Sequence, residues 1–236
     1  MKLLVSPLDV EEAKTAVNGG ADIIDVKNPA EGSLGGQYPW IIREIKKITP
    51  AGREISAAVC DSVEKPGLIT QALLGVLNLG VDYAKIGLYK PSSVAAVREL
   101  IKLLCNVKSE FGFTKSRIVI AGYADWMRVG SINPMLLPSV TEGLDVSVLM
   151  IDTFIKDGKS TFDFLSIDQL KKFVLECENK GFQTAIAGKI MENHLSTVKT
   201  LGYDILGVRS LVCEGGDRVK GRIVLDKIEK VKGIIA

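Results

Sequence analysis

The chain has 236 residues, 47% of them hydrophobic and 25% charged, with a formal net charge of +2 at pH 7. That length and apolar share build a sizeable core and exclude wholesale disorder, while a near-neutral balance without a basic arm offers nucleic acid no electrostatic footprint. Aromatics are only 6% while glycine reaches 23 residues, the balance of an α/β protein with tight connections rather than an all-β module.

In chain order, short apolar runs alternate with longer amphipathic segments. The first strand is expected at 3–6, where the apolar stretch meets Ser6-Pro7-Leu8-Asp9 too soon for a signal peptide. A helix over 10–18 stops at Gly19-Gly20, and a second strand covers 22–27. A helix over 39–48, a strand over 54–59, a helix over 69–79 closed by Gly80, and a strand over 82–88 come next. The most apolar window, 69–81, is interrupted by Gln71, Gly75, Asn78 and Gly80. It falls short of the ~20 apolar residues of a membrane span. The rest alternates likewise: helix 92–110, strand 117–122, helix 134–142, strand 145–152, helix 167–180, strand 183–189, helix 193–200, strand 204–209 and helix 225–231.

Eight βα units without a hairpin signal imply an all-parallel sheet. In a chain this long they fit a single (β/α)8, or TIM, barrel, with residues 1–236 forming one catalytic domain. An open doubly wound sheet is the competitor, but it expects a glycine-rich loop after the first strand, and Ser6-Pro7-Leu8-Asp9 is nothing of the kind. The four cysteines, Cys60, Cys105, Cys177 and Cys213, show no paired spacing and read as buried, reduced thiols of a cytoplasmic protein. His194 is the only histidine, so neither a Ser-His triad nor a His-ligated metal is expected, and no cofactor is called for.

In a barrel, chemistry belongs at the C-terminal ends of the strands. The second strand ends Asp25-Val26-Lys27, and a period of two puts Asp25 and Lys27 on the barrel side of Ile24 and Val26. The fourth contains Lys85, the fifth reaches Tyr123-Ala124-Asp125, and the sixth ends at Asp152 with Lys156 just beyond. The seventh ends at Lys189 and the eighth at Arg209. A lone lysine at a strand end is ordinarily a snorkelling surface residue, which suffices for Lys156 or Lys189 alone. Lys27 and Lys85 lie within apolar runs, where an unpaired charge is expensive; Asp25 and Asp152 could serve simply as their partners. Lysines converging on one mouth repel, which lowers a pKa and frees an amine to attack a carbonyl. The constellation reads as Schiff-base chemistry.

The last two loops suggest a phosphate. Gly188, Arg209 and the Gly215-Gly216 turn follow strands seven and eight, where barrels gather backbone amides for an anion; the bland alternative is a flexible turn. Gly32-Ser33-Leu34-Gly35-Gly36 lacks the Lys-Ser/Thr of a P-loop and reads as a lid or a close backbone approach.

Several motifs recur in order: Leu4-Val5-Ser6-Pro7, Asp25-Val26-Lys27-Asn28-Pro29, Glu31-Gly32-Ser33-Leu34-Gly35, Lys85-Ile86-Gly87-Leu88-Tyr89, Ala121-Gly122-Tyr123-Ala124-Asp125, Lys156-Asp157-Gly158-Lys159 and Gly216-Asp217-Arg218. On these the chain resembles, over nearly its whole length, the (5-formylfuran-3-yl)methyl phosphate synthases, also called 4-(hydroxymethyl)-2-furancarboxaldehyde-phosphate synthases. The resemblance implies a barrel lyase of methanofuran biosynthesis that condenses two molecules of glyceraldehyde 3-phosphate with loss of phosphate and water. It implies Lys27 as the Schiff-base lysine, Lys85 as the proton acceptor, and supporting roles for Asp25, Asp152 and Lys156. The partner implied is this triose phosphate, not nucleic acid or membrane, and a homo-oligomer is compatible with the sequence. Two other readings stay open. One is a class I aldolase of sugar phosphates, which would use the same lysines and keep its phosphate. The other is a non-catalytic barrel.

Overall fold

The computed structural model describes residues 1–91 and 93–236, with the side chain of Ser62 also left aside. Eight parallel strands close into a barrel in sequential order: β1 (Lys2–Val5), β2 (Ile23–Val26), β3 (Glu54–Ser62), β4 (Tyr83–Tyr89), β5 (Arg117–Tyr123), β6 (Val148–Asp152), β7 (Gln183–Ile186) and β8 (Ile205–Val208). The ring is shut by β1 lying parallel to β8, Leu3 opposite Leu206 and Val5 opposite Val208. The helices are α1 (Val10–Asn18), α2 (Pro39–Ile48), α3 (Pro66–Asn78), α4 (Val94–Glu110), α5 (Trp126–Val129), α6 (Leu137–Thr141), α7 (Ile167–Asn179), α8 (Leu195–Leu201) and α9 (Leu225–Ile235). Among the described residues, no helix is long and apolar enough to cross a membrane.

The period of two sorts side chains into two apolar layers. Leu4, Ile23, Ala58, Tyr83, Val119, Val148, Met150 and Ile205 fill the barrel, while Ile24, Val26, Ala84, Ile86, Leu149 and Leu206 meet the helices outside. Asp25 and Lys27 therefore share the inner face with Ile23, as the alternation requires.

Where the elements depart from the sequence pattern, local chemistry explains it. Helix α3 starts three residues earlier than the apolar period suggests, because Pro66 fits the first helical turn, where its missing N–H costs nothing. The expected helix over 134–142 is split into a 3-10 turn at Pro134–Leu136 and α6, which has Pro138 near its start. Strand β7 stops at Ile186 because Gly188 and Lys189 take φ of +88° and +51°, which no strand accommodates. Ser92, the expected start of the fourth helix, lies outside the described residues; α4 is capped by Ser93, whose hydroxyl accepts from Ala96 N–H at 3.1 Å. Strand β3 runs on to Ser62, three residues past its expected end, with register shifts after Ala58 and after Cys60. Cys177 and Cys213 are buried, Cys60 and Cys105 only half so, and no disulfide joins the four.

Candidate active site

At the C-terminal end of the barrel lies a cavity of about 540 Å³. Lys27, Lys85, Lys156, Lys159, Lys189, Arg209 and Arg218 line it and outnumber Asp25, Asp152 and Asp217, so the chamber is cationic.

Lys85 rises from the middle of β4 and is 1% exposed. Its Nζ lies 2.6 Å from Oδ1 of Asp25, whose Oδ2 accepts a 2.8 Å hydrogen bond from the Ser6 hydroxyl. Burial pushes the Asp25 carboxyl up, but the Lys85 and Lys27 charges and these hydrogen bonds outweigh it and hold the group below its ordinary value. The second pair repeats the arrangement: Lys156 Nζ is 2.8 Å from Asp152 Oδ1, which also accepts from Thr153 N–H at 2.7 Å. Burial opposes ionisation of Asp152, and Lys156 and Lys27 again prevail and lower its pKa.

Lys27 lies between these pairs and differs from both. It is 8% exposed, and among the described residues its amine has no hydrogen-bond or ion-pair partner. Burial drives its pKa down to about 7; Lys85 and Lys156 add to the shift, while Asp152 and Asp25 resist it. A buried amine that is substantially neutral near pH 7 is a carbonyl nucleophile.

The structure therefore brings Lys27, Lys85, Asp25, Asp152 and Lys156 to one chamber. Gly188 and Gly216 also line it, but Gly215 does not. Arg209 lines the chamber too, but most of its donors are engaged by the protein. Its Nη1 donates to Glu12 Oε2 at 2.7 Å and to the Ser6 carbonyl at 2.8 Å, and its Nε donates to the Arg218 carbonyl at 2.6 Å. The side chain is 5% exposed, and with Nη2 donating to Glu12 Oε1 at 3.4 Å a single Nη2 N–H is left over; a buried arginine needs a buried counter-ion, and Glu12 on α1 supplies it. The arginine left over is Arg218, half-buried in the same wall, with no hydrogen bond or ion pair on its guanidinium among the described residues.

Sequence reasoning quoted Gly216-Asp217-Arg218 without giving Arg218 a task, and it missed Asp61 entirely. Regular alternation from Ser56 and Ala58 would turn Cys60, not Asp61, toward the barrel. The register shift after Ala58 moves Asp61 to the inner face, where its Oδ1 accepts from the Tyr123 hydroxyl. No residue pattern announces such a bulge.

A family model described as "4-HFC-P synthase" matches residues 3–232. A protein of Methanopyrus kandleri named (5-formylfuran-3-yl)methyl phosphate synthase is 46% identical over 235 residues, covering 100% of this chain and 99% of its own. The synthase of the same name from Methanocaldococcus jannaschii is 46% identical over 232 residues, covering 98% of each chain. Among solved structures, a 3-hexulose-6-phosphate synthase superposes with a TM-score of 0.69 at 14% identity, covering 100% of both chains, a likeness of fold alone. The full-length match to the family model and the relatives' identity carry the same conclusion: the chain belongs to the 4-HFC-P synthase family.

Proposed function

We propose that the protein condenses two molecules of glyceraldehyde 3-phosphate into 4-(hydroxymethyl)-2-furancarboxaldehyde phosphate, through an imine at Lys27. The observation that carries this reading is the unpartnered, buried amine of Lys27, with a pKa of about 7, inside a cationic chamber. Attack on the aldehyde gives a carbinolamine, whose hydroxyl must leave as water. Lys85, held beside Asp25, donates the proton and is left as a neutral amine. That amine then takes the C2 proton made acidic by the iminium. The resulting enamine expels phosphate from C3 or adds to the second aldehyde. One phosphate and two waters leave in total, and aromaticity drives the final dehydration. Arg218 and the backbone at Gly188 and Gly216 hold the phosphate that stays. Lys156 and Asp152 set the field around the imine. Consuming a triose phosphate for methanofuran synthesis assigns the enzyme, one catalytic domain over the whole chain, to the cytoplasm.

Incubation with glyceraldehyde 3-phosphate alone tests this. The furan aldehyde phosphate should appear by mass and ultraviolet absorbance, with one inorganic phosphate per product, and borohydride should fix a triose on Lys27. A product that keeps both phosphates would make the protein an aldolase. Borohydride labelling of another lysine would displace Lys27.

A further inference from the structure

The loop between β2 and α2 covers one side of the chamber with Gly32 and Ser33. It is folded tightly on itself: Asn28 N–H donates to the Gly35 carbonyl at 2.9 Å, and a Cβ on Gly35 would strike the Asn28 carbonyl and Glu31. Its anchor outside the loop is Asp61, 9% exposed near the end of β3. Oδ2 of Asp61 accepts from Leu34 N–H at 2.9 Å, and Oδ1 accepts from the hydroxyl of Tyr123, which is fully buried. The surrounding chain is cut to fit. A side chain on Gly32, at φ +143°, would strike Asp61 Oδ2, and one on Gly87 would strike both the Tyr123 hydroxyl and Asp61 Oδ1. On its far side the loop is tied across the mouth, since the Ser33 hydroxyl donates to the Thr153 carbonyl at 3.1 Å and Lys156 Nζ donates to that same carbonyl at 2.5 Å.

We propose that Asp61 and Tyr123 form a positioning clamp that holds the 28–36 loop closed against the Lys27 chamber. The inference rests on the reading of Lys27 as the reactive amine. Neither clamp residue lines the chamber, so neither touches the reacting atoms. Burial pushes the Asp61 carboxyl above its ordinary pKa, with the Asp152 charge acting in the same direction. The carboxylate offers one oxygen to each of its two donors. An asparagine keeps the acceptor for Leu34 N–H and so preserves the tie to the loop, and loses the acceptor for the Tyr123 hydroxyl.

Hydrogen exchange and steady-state kinetics on Asp61→Ala, Asp61→Asn and Tyr123→Phe test the clamp. In Asp61→Ala, protection over residues 30–37 should fall by about tenfold or more. Its kcat should drop by about tenfold, with KM changed less than about threefold, because the loop shapes the closed chamber rather than the affinity for phosphate. Asp61→Asn, which keeps the acceptor for Leu34 N–H, should fall between the alanine variant and the parent in both and recover most of the loop's protection. Unchanged protection in Asp61→Ala overturns the clamp, and so does an Asp61→Asn variant as impaired as the alanine. If Asp61→Ala does not fold, Tyr123→Phe decides: a severalfold loss of protection supports the clamp and none overturns it. Exchange needs no substrate. A parent enzyme that makes no furan would sink the proposed reaction, and the clamp would still be judged on its own.

Discussion

Lys27 is where local physics becomes chemistry, and its protonation has consequences that can be measured. The folded protein releases the Lys27 proton at about 7, whereas an unperturbed lysine keeps it to 10.5. Between those values the unfolded chain binds more protons, so Lys27 makes stability rise with pH across that window, and its full cost is felt below about 7. Turnover should follow the neutral amine, with kcat/KM rising tenfold per pH unit below about 7 and levelling off above it. A flat profile from pH 5.5 to 8.5 would separate the amine from the rate. Lys27→Met should abolish turnover and yet, at pH 6, stabilise the fold by about 1–3 kcal/mol, because each carboxylate keeps its own lysine partner. Thermal unfolding at pH 6 reads that gain directly. Arg218 gives the companion test. A guanidinium with no protein partner is free for phosphate, so Arg218→Ala should raise KM for glyceraldehyde 3-phosphate by about ten- to a hundredfold. It should scarcely affect unphosphorylated glyceraldehyde, and equal effects on both substrates would move the phosphate elsewhere.

Among the elements, the ends of β3 and β5 each hold the loop of a neighbouring strand. Asp125, just past β5 and 1% exposed, accepts from Phe154 N–H at 2.7 Å and Ile155 N–H at 2.9 Å, which fixes the segment that delivers Lys156. Asp125→Asn keeps only one acceptor for these two donors. It should cost about 1–3 kcal/mol in urea unfolding and lower kcat more than it alters KM; a neutral result in both would mean the segment holds itself. This dependence sets how far the sequence could be read. Strand alternation sufficed to place Asp25 and Lys27 inside the barrel, because both layers there are regular and apolar. It failed at Asp61, because a bulge shifts the inner face by one residue, and it did not foresee the tie from Arg209 to Glu12, 197 residues away. The glycines of the 32–36 loop were legible only as a lid or a close backbone approach. Which atoms they approach emerged from strands distant in sequence, Val59 and Asp61 of β3.

For the whole molecule, Arg209 fastens the ring as well as lining its chamber. A barrel must join its last strand to its first. Besides the β1–β8 ladder, this chain does so with one side chain just beyond β8, which reaches the Ser6 carbonyl after β1 and the Glu12 carboxylate on α1. Glu12 in turn accepts from Leu8 N–H at 2.8 Å, so the same carboxylate shapes the first loop of the mouth. The pair is almost fully buried, at 5% and 2% exposure, and removing Arg209 leaves the Glu12 carboxylate with only the half-exposed Arg222, 3.7 Å away, as a counter-ion. Arg209→Ala should therefore cost about 3–5 kcal/mol, whereas the double change Arg209→Met with Glu12→Leu should recover most of that stability, since an apolar pair carries no desolvation cost. A double-mutant cycle in urea measures the coupling. KM for the triose phosphate should change little in the double variant if it folds to the same barrel, because Arg218 remains. A large loss of phosphate affinity there, without loss of stability, would make Arg209 a phosphate ligand and leave the ring to be closed by its strand ladder alone.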